Sequence, residues 1–242
     1  MSPLRIDKIS DKAVILGSRR KHGSMKHFDH ERGQHNRQLF LEGVIRPAHP
    51  AARFKLAVVE HGTEVYVVGG DWSEAVLGCD ALVTRERNVF IAVTYADCPP
   101  VAFLDPKAGL IAIAHCGYKG LHAGVLRKTV QTLRDLGAHR NRLEAVVGPH
   151  IGACCYEFGL KHAEKKFGGH REHILEHNVL TDKCRLDLGG IIEKKLIHEE
   201  RLLASRIWKV AVCTHCGPQD LFSARKDRTD PVQAGIFGIM LT

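Results

Sequence analysis

Three short apolar runs in this chain each stop at a side chain able to bind a metal or act as a reactive group. They are Leu56-Ala-Val-Val-Glu-His61-Gly62, Val89-Phe-Ile-Ala-Val-Thr-Tyr-Ala-Asp-Cys98-Pro-Pro100 and Leu110-Ile-Ala-Ile-Ala-His115-Cys-Gly117. Each reads as a buried strand meeting a polar or glycine-containing turn. A thiolate and two imidazoles suit zinc, and three protein ligands leave a position open for water or substrate, which is a catalytic pattern. Taken singly, a histidine is more often a surface or satisfied core residue, and a buried free cysteine behaves as a small apolar side chain. Their joint placement favours ligation. A third reading makes Cys98 a nucleophile with His115 as its base.

At 242 residues the chain is long enough for one large core, so a single domain spanning residues 1–242 is expected. It contains no run of 18 apolar residues, and Met1-Ser-Pro-Leu-Arg-Ile-Asp-Lys8 lacks the apolar core of a signal peptide. A cytoplasmic protein with no membrane partner is expected. Eight cysteines in this length fall well below the density of a disulfide scaffold, so no structural disulfide is expected. The 35 basic and 27 acidic residues give a net charge of +8. They are dispersed, with no aromatic-studded basic strand, so a solvated surface is favoured over a nucleic-acid partner.

Residues 1–45 read as an N-terminal segment of the same domain, carrying a polar, His-rich loop from Gly17 to Gln38 with His22, His27, His30 and His35. The loop leads into a helix near Asn36 to Gly43. Two β-rich runs between Phe54 and Val68 flank His61-Gly62-Thr63 as a hairpin or tight connection. The runs Val101–Leu104 and Leu110–Ala114 flank Asp105-Pro-Lys-Ala-Gly109, a turn in which Pro fixes φ and Gly takes positive φ, so a hairpin is predicted. A helix with Leu126, Val130 and Leu133 on one face follows, stopped at Gly137. Leu143–Gly152 reads as a strand ending in a turn and Asp187–Leu203 as a helix. Ile207–Thr214 and Gly235–Leu241 read as a closing β pair. Strands and helices without a regular βαβ rhythm indicate an α+β fold of layered mixed sheets flanked by helices. His170, His173 and His177 would share one solvated helix face. Cys213-Thr-His-Cys216 has C-x-x-C spacing, but no second such pair follows it, so it reads as structural.

Around Gly78-Cys-Asp-Ala-Leu-Val-Thr84, Thr94-Tyr-Ala-Asp-Cys98-Pro-Pro-Val101 and His115-Cys-Gly-Tyr-Lys-Gly120, the chain resembles the YfiH-like family. That family is also called the laccase-domain or polyphenol oxidase family and was later described as purine nucleoside phosphorylases. His61-Gly62, Gly148-Pro149-x-Ile151, Tyr156-Glu157, Cys213-Thr214 and Ser223-Ala-Arg225-Lys-Asp227 match in the family's order. The resemblance implies an α+β fold with mixed sheets flanked by helices, and a metal held by His61, Cys98 and His115. Zinc is the expected ion and copper(II) the alternative. It also implies phosphorolysis of adenosine, inosine and methylthioadenosine, adenosine deamination or, in the family's earlier description, copper-dependent oxidation of phenols. A single three-ligand site suits multicopper oxygen reduction poorly.

The departures concern anion binding. The family's His-Ala-Gly-Trp-Arg-Gly appears as His115-Cys-Gly-Tyr-Lys-Gly120, which replaces a bidentate guanidinium with a point charge. The family's Arg-x-Gly-Gly-x-Ser appears as Arg19-Arg-Lys-His-Gly-Ser24. Lys226 replaces the second Arg of Ser-x-Arg-Arg-Asp, and the Gly-Arg pair expected before the last strand is missing. Catalytic roles are expected for Cys98, His115, Asp97 and Arg225, with Asp97 orienting a neighbouring imidazole. Substrate contacts are expected from Tyr118, Lys119, Arg19 and Ser223, with Tyr118 as base or ribose platform. The expected partners are a nucleoside and phosphate, and the chain is expected to be a monomer or weak homodimer. A non-enzymatic basic binding protein is the remaining alternative.

Overall fold

The computed structural model describes residues 2–7, 9–26, 30–70, 73–218, 220–229 and 231–242. In chain order the elements begin β1 (Leu4–Ile6), β2 (Ala13–Gly17), α1 (His30–Phe40), β3 (Arg53–Val58), β4 (Val65–Val67), β5 (Ala75–Leu77), β6 (Ala81–Thr84) and β7 (Val89–Tyr95). The middle of the chain supplies β8 (Pro100–Asp105), β9 (Leu110–His115), α2 (Tyr118–Ala123), α3 (Val125–Asp135), β10 (Glu144–Val147), β11 (Glu157–Gly159) and α4 (Leu160–Phe167). The rest is β12 (Ile174–Asn178), β13 (Lys183–Leu186), α5 (Leu188–Lys194), β14 (Ile207–Lys209), α6 (Ala224–Asp227) and β15 (Gly235–Leu241).

Two mixed six-stranded sheets form the body, in the orders β1-β2-β15-β7-β3-β5 and β14-β10-β8-β9-β6-β4, with a small sheet β11-β13-β12 beside them. Alternate side chains of each strand point to opposite faces. Ile91, Val93 and Tyr95 of β7 and Phe237 and Ile239 of β15 therefore meet Leu104 of β8 and Ile111 and Ile113 of β9 between the sheets. The intervening residues face outward. Val101, Phe103, Leu110 and Ala112 pack under Leu126, Val130 and Leu133 of α3 and Ile191 and Ile192 of α5. On the other side, Phe90, Ala92 and Met240 pack under Phe40, Leu41 and Ile45. The result is the expected α+β layering, helix on sheet on sheet on helix. It explains why β7, β8 and β9 are buried at every position: strands covered on both faces lose the polar alternation of half-buried ones.

The β8–β9 hairpin forms as expected, with Asp105 opposite Leu110 and Gly109 at φ +60°. Asp105 closes it by accepting the N–H groups of Lys107 and Ala108 on one oxygen and that of His139 on the other. Gly124, at φ +105°, separates α2 from α3, and Gly137 follows α3 with positive φ.

Several expectations are corrected. The helix near Asn36 begins at His30 and continues as a π-turn through Leu41–Ile45. It looked like a loop because its polarity includes Arg37, which is buried and donates to the Met25 and Lys26 carbonyls as well as pairing with Glu74. His22 lies on a 3-10 turn, where its Nδ1 accepts the Arg19 N–H; His35 lies on α1, and His27 is outside the described residues. β3 and β4 belong to different sheets, so His61 sits on a crossover and not a hairpin turn. β14 and β15 likewise lie in different sheets, and β14 ends at Lys209. The 187–203 helix is capped by Asp187 and ends at Glu199 through a π-turn; Leu202 is buried and Leu203 exposed. His170 and His173 occupy a kinked 3-10 segment and His177 a strand, so they share no helix face. All eight cysteines are free thiols. No helix among the described residues is long and apolar enough to cross a membrane.

Candidate metal centre

The three chemistry-bearing runs end at one point. β3 and β7 run parallel in the first sheet and deliver His61 and Cys98 past their C-terminal ends. After β7 the chain crosses to the second sheet, where Pro100 at the start of β8 lies opposite His115 at the end of β9. Ligand atoms of His61, Cys98 and His115 consequently lie within 4.8 Å of one another. The two imidazoles meet edge to face with centroids 4.9 Å apart.

Each ligand is oriented by its own backbone neighbourhood. His115 Nδ1 lies 3.0 Å from the Thr94 carbonyl; a carbonyl only accepts, so Nδ1 carries the proton and Nε2 presents a lone pair. That Nε2 is buried and has no hydrogen-bond partner. His61 takes positive φ, 61°, in a turn fastened by Asp80. The Asp80 carboxylate accepts the Glu60 and Gly62 N–H groups, and its carbonyl accepts the His115 N–H at 2.8 Å. Asp80 thus sets both imidazoles at once. Gly117 completes the cradle: a Cβ there would stand 2.7 Å from Cys98 Sγ and 3.4 Å from His115 Nε2.

Burial controls the charges. It pushes the Cys98 thiol up to about 12, with Asp97 adding to the rise, and pulls His115 down to about 4, with His61 contributing. Burial lowers His61 as well. The imidazoles are therefore neutral at pH 7, the state a metal requires, and the thiol needs a cation to ionise. The orphaned Nε2, the cradle and the soft S/N donor set all fit a zinc-like ion, so His61, Cys98 and His115 are the residues that would hold one.

A cleft of about 320 Å³ opens over these ligands, lined also by Lys26, Val58, Tyr95, Ala96 and Ala234. This is the size range of small-molecule sites, about 300–1,000 Å³. Lys26 is half-buried, its ammonium pKa is lowered by desolvation, and it acts electrostatically on both imidazoles.

Sequence reasoning missed Lys26 and Asp80. Lys26 lies inside the stretch read as a His-rich loop and has no motif of its own, whereas Asp80 stands in Gly78-Cys-Asp, a matched segment whose role only the fold reveals. The predicted residues divide. Asp97, at φ +88°, orients no imidazole, which corrects that expectation: its oxygens accept the Thr214 hydroxyl at 2.6 Å and the Arg225 N–H at 2.7 Å. The Thr94 carbonyl does the orienting instead. Ser223 is buried, and its Oγ accepts the Lys226 N–H as the N-cap of α6; that accounts for it as a cap and not as a substrate contact. Arg19 pairs with Asp220 outside the cleft lining. Arg225 is exposed, stacks over Tyr156 at 5.2 Å and donates to the Glu157 carbonyl. Lys119 is exposed and close enough to act electrostatically on His61. Tyr118 packs edge-on against Phe158 at 5.1 Å and near His162.

Layered mixed sheets with a three-ligand centre at their strand ends define an α+β protein with a metal-capable site under a small cleft. The chain belongs to the family described as multi-copper polyphenol oxidoreductase laccase, whose model matches residues 23–240. It is 33% identical over 159 residues to adenosine deaminase RL5 from an unknown prokaryotic organism, covering 64% of this chain and 60% of the relative. It is 36% identical over 176 residues to purine nucleoside phosphorylase SCO2081 of Streptomyces coelicolor, covering 72% and 70% of the two chains. The chain thus spans less than two thirds of the first relative and slightly more of the second. The crystal structure of Bacillus licheniformis hypothetical protein YfiH superposes with a TM-score of 0.83 at 24% identity, covering 96% of this chain and 94% of that one, which establishes a shared fold.

Proposed function

We propose that the chain is a metal-dependent purine nucleoside phosphorylase acting on adenosine, inosine and methylthioadenosine, with adenosine deamination in the same cleft. The observation that carries this reading is the convergence of His61, Cys98 and His115 beneath a cleft whose wall includes the half-buried cation Lys26. The names of the relatives, a purine nucleoside phosphorylase and an adenosine deaminase, support the substrate class. Zinc, held by His61, Cys98 and His115, would supply a Lewis acid and a bound water acidified toward a pKa of about 7.

Phosphorolysis asks the protein to hold a dianion beside the sugar. A phosphate oxygen forms a bond to C1′, the C1′–N9 bond breaks with its electron pair leaving on the base, and the base takes up a proton. Lys26 and Lys119 neutralise the dianion, the first from a partly desolvated position where one charge counts for more. The apolar walls at Val58, Ala96 and Ala234 exclude water that would compete with phosphate. Tyr118, packed edge-on against Phe158, stands outside the cleft lining.

Incubating metal-quantified protein with adenosine and phosphate should yield, by chromatography, ribose 1-phosphate in an amount equal to adenine plus hypoxanthine, and incubation without phosphate should yield inosine and ammonia. Absence of all these products, with oxygen-dependent turnover of a phenol by the copper-loaded protein, would replace this reading with the oxidase one.

A further inference from the structure

A second group of ligating atoms lies apart from the cleft. The Sγ atoms of Cys154, Cys155, Cys213 and Cys216 all fall within 4.8 Å of one another. Taken alone, Cys213-Thr-His-Cys216 has no second pair after it; its partners lie upstream, in the turn after β10. β10 and β14 are parallel neighbours, so the turns that follow them leave the same end of the sheet. A bridge between His150 and Cys213, with the Thr214 N–H donating to the His150 carbonyl, joins the two turns.

The Cys213–Cys216 turn is shaped to gather sulfurs. Gly217 donates its N–H to the Cys213 carbonyl at 2.9 Å, and a Cβ at Gly217 would stand 2.2 Å from that oxygen, so the turn closes only around glycine. Cys213 Sγ accepts the Gly152 N–H at 3.2 Å and faces the N–H groups of His215 and Cys216. Several N–H donors converging on one sulfur stabilise a thiolate. The Cys154 and Cys216 sulfurs stand 3.5 Å apart. A disulfide needs about 2.05 Å, whereas sulfurs each about 2.3 Å from one tetrahedral zinc lie about 3.8 Å apart. A multi-iron cluster with bridging sulfides needs its cysteines spread more widely than this group allows.

We propose that Cys154, Cys155, Cys213 and Cys216 form a second metal centre, a closed four-thiolate site for a single zinc ion. With no open coordination position its role is structural. It fastens the turn whose Thr214 hydroxyl holds Asp97 at positive φ, directly beside Cys98. The ion therefore braces the catalytic-type centre from behind without touching substrate.

The test is metal stoichiometry and cobalt(II) spectroscopy of the full chain. Wild-type protein should carry two zinc ions per chain, and its cobalt form should show the intense sulfur-to-metal absorption of an all-thiolate tetrahedral site. Cys154→Ser/Cys216→Ser should drop to one ion and lose that absorption; His61→Ala/His115→Ala should drop to one and keep it. If the cysteine variant does not fold, the histidine variant still decides. No metal in it, iron or copper in place of zinc, or a Cys154–Cys216 disulfide in freshly purified wild type would overturn the proposal. The readout does not depend on nucleoside turnover, so the two readings fail separately.

Discussion

Gly117 shows how much of the centre depends on single atoms. Its φ of −60° is open to any residue, so Gly117→Ala leaves the backbone unstrained while its methyl carbon enters the space between Cys98 Sγ and His115 Nε2. The expected outcome is a folded protein, by circular dichroism, that has lost the ion at this centre and at least 100-fold of its activity. Lys26 carries a different prediction. Lys26→Ala should raise KM for phosphate ten- to hundredfold, about 1.4–2.8 kcal/mol, with kcat changed less than threefold in steady-state kinetics at saturating nucleoside. Equal effects from Lys119→Ala would move the anion contact to the exposed lysine. His61, Cys98 and His115 were legible in the sequence because each ends an apolar run. Lys26 was not, because its position follows from α1: Arg37 holds the Met25 and Lys26 carbonyls, and the Lys26 carbonyl oxygen fits against the helix only at Gly33, where a Cβ would stand 2.0 Å from it.

At the scale of elements, the β8–β9 hairpin was readable since its turn chemistry is local. The carboxylate that closes it gives the fold a defined response to acid. Burial alone would push Asp105 up, yet the N–H groups of His139, Ala108 and Lys107 together with Arg142 outweigh it and hold Asp105 below its ordinary value. A carboxyl depressed in the folded state contributes stability above its unfolded pKa, about 3.9, and loses that contribution as pH falls through the folded value. Asp105→Asn should therefore cost about 2–3 kcal/mol at pH 7 and progressively less below about pH 4, read from urea unfolding midpoints; a pH-independent penalty would contradict this account. Strand partners were harder to foresee. β4 pairs with β6 and β14 with β10, both parallel, and parallel partners are set by crossovers that leave no turn signature. The same parallel pairing hid the four-cysteine group, since each half occupies a separate turn.

Across the whole molecule, two sheets covered on both outer faces present their strand ends as a rigid platform, and the two groups of metal-capable side chains occupy the turns that leave it. Asp97 links them, taking the Thr214 hydroxyl from one turn while its neighbour Cys98 faces the two imidazoles. The alternation of β7, β8 and β9 was masked in the sequence by uniform apolarity, although that uniformity itself pointed to strands buried on both faces. The central claim is that three strand ends far apart in sequence hold one ion. Anomalous scattering from a crystal, collected above and below the zinc edge, tests it most directly. The account predicts a peak about 2.0–2.1 Å from one ring nitrogen each of His61 and His115 and about 2.3 Å from Cys98 Sγ. Zinc-soaked crystals with no density there, or with the three side chains turned away from one another, would contradict it.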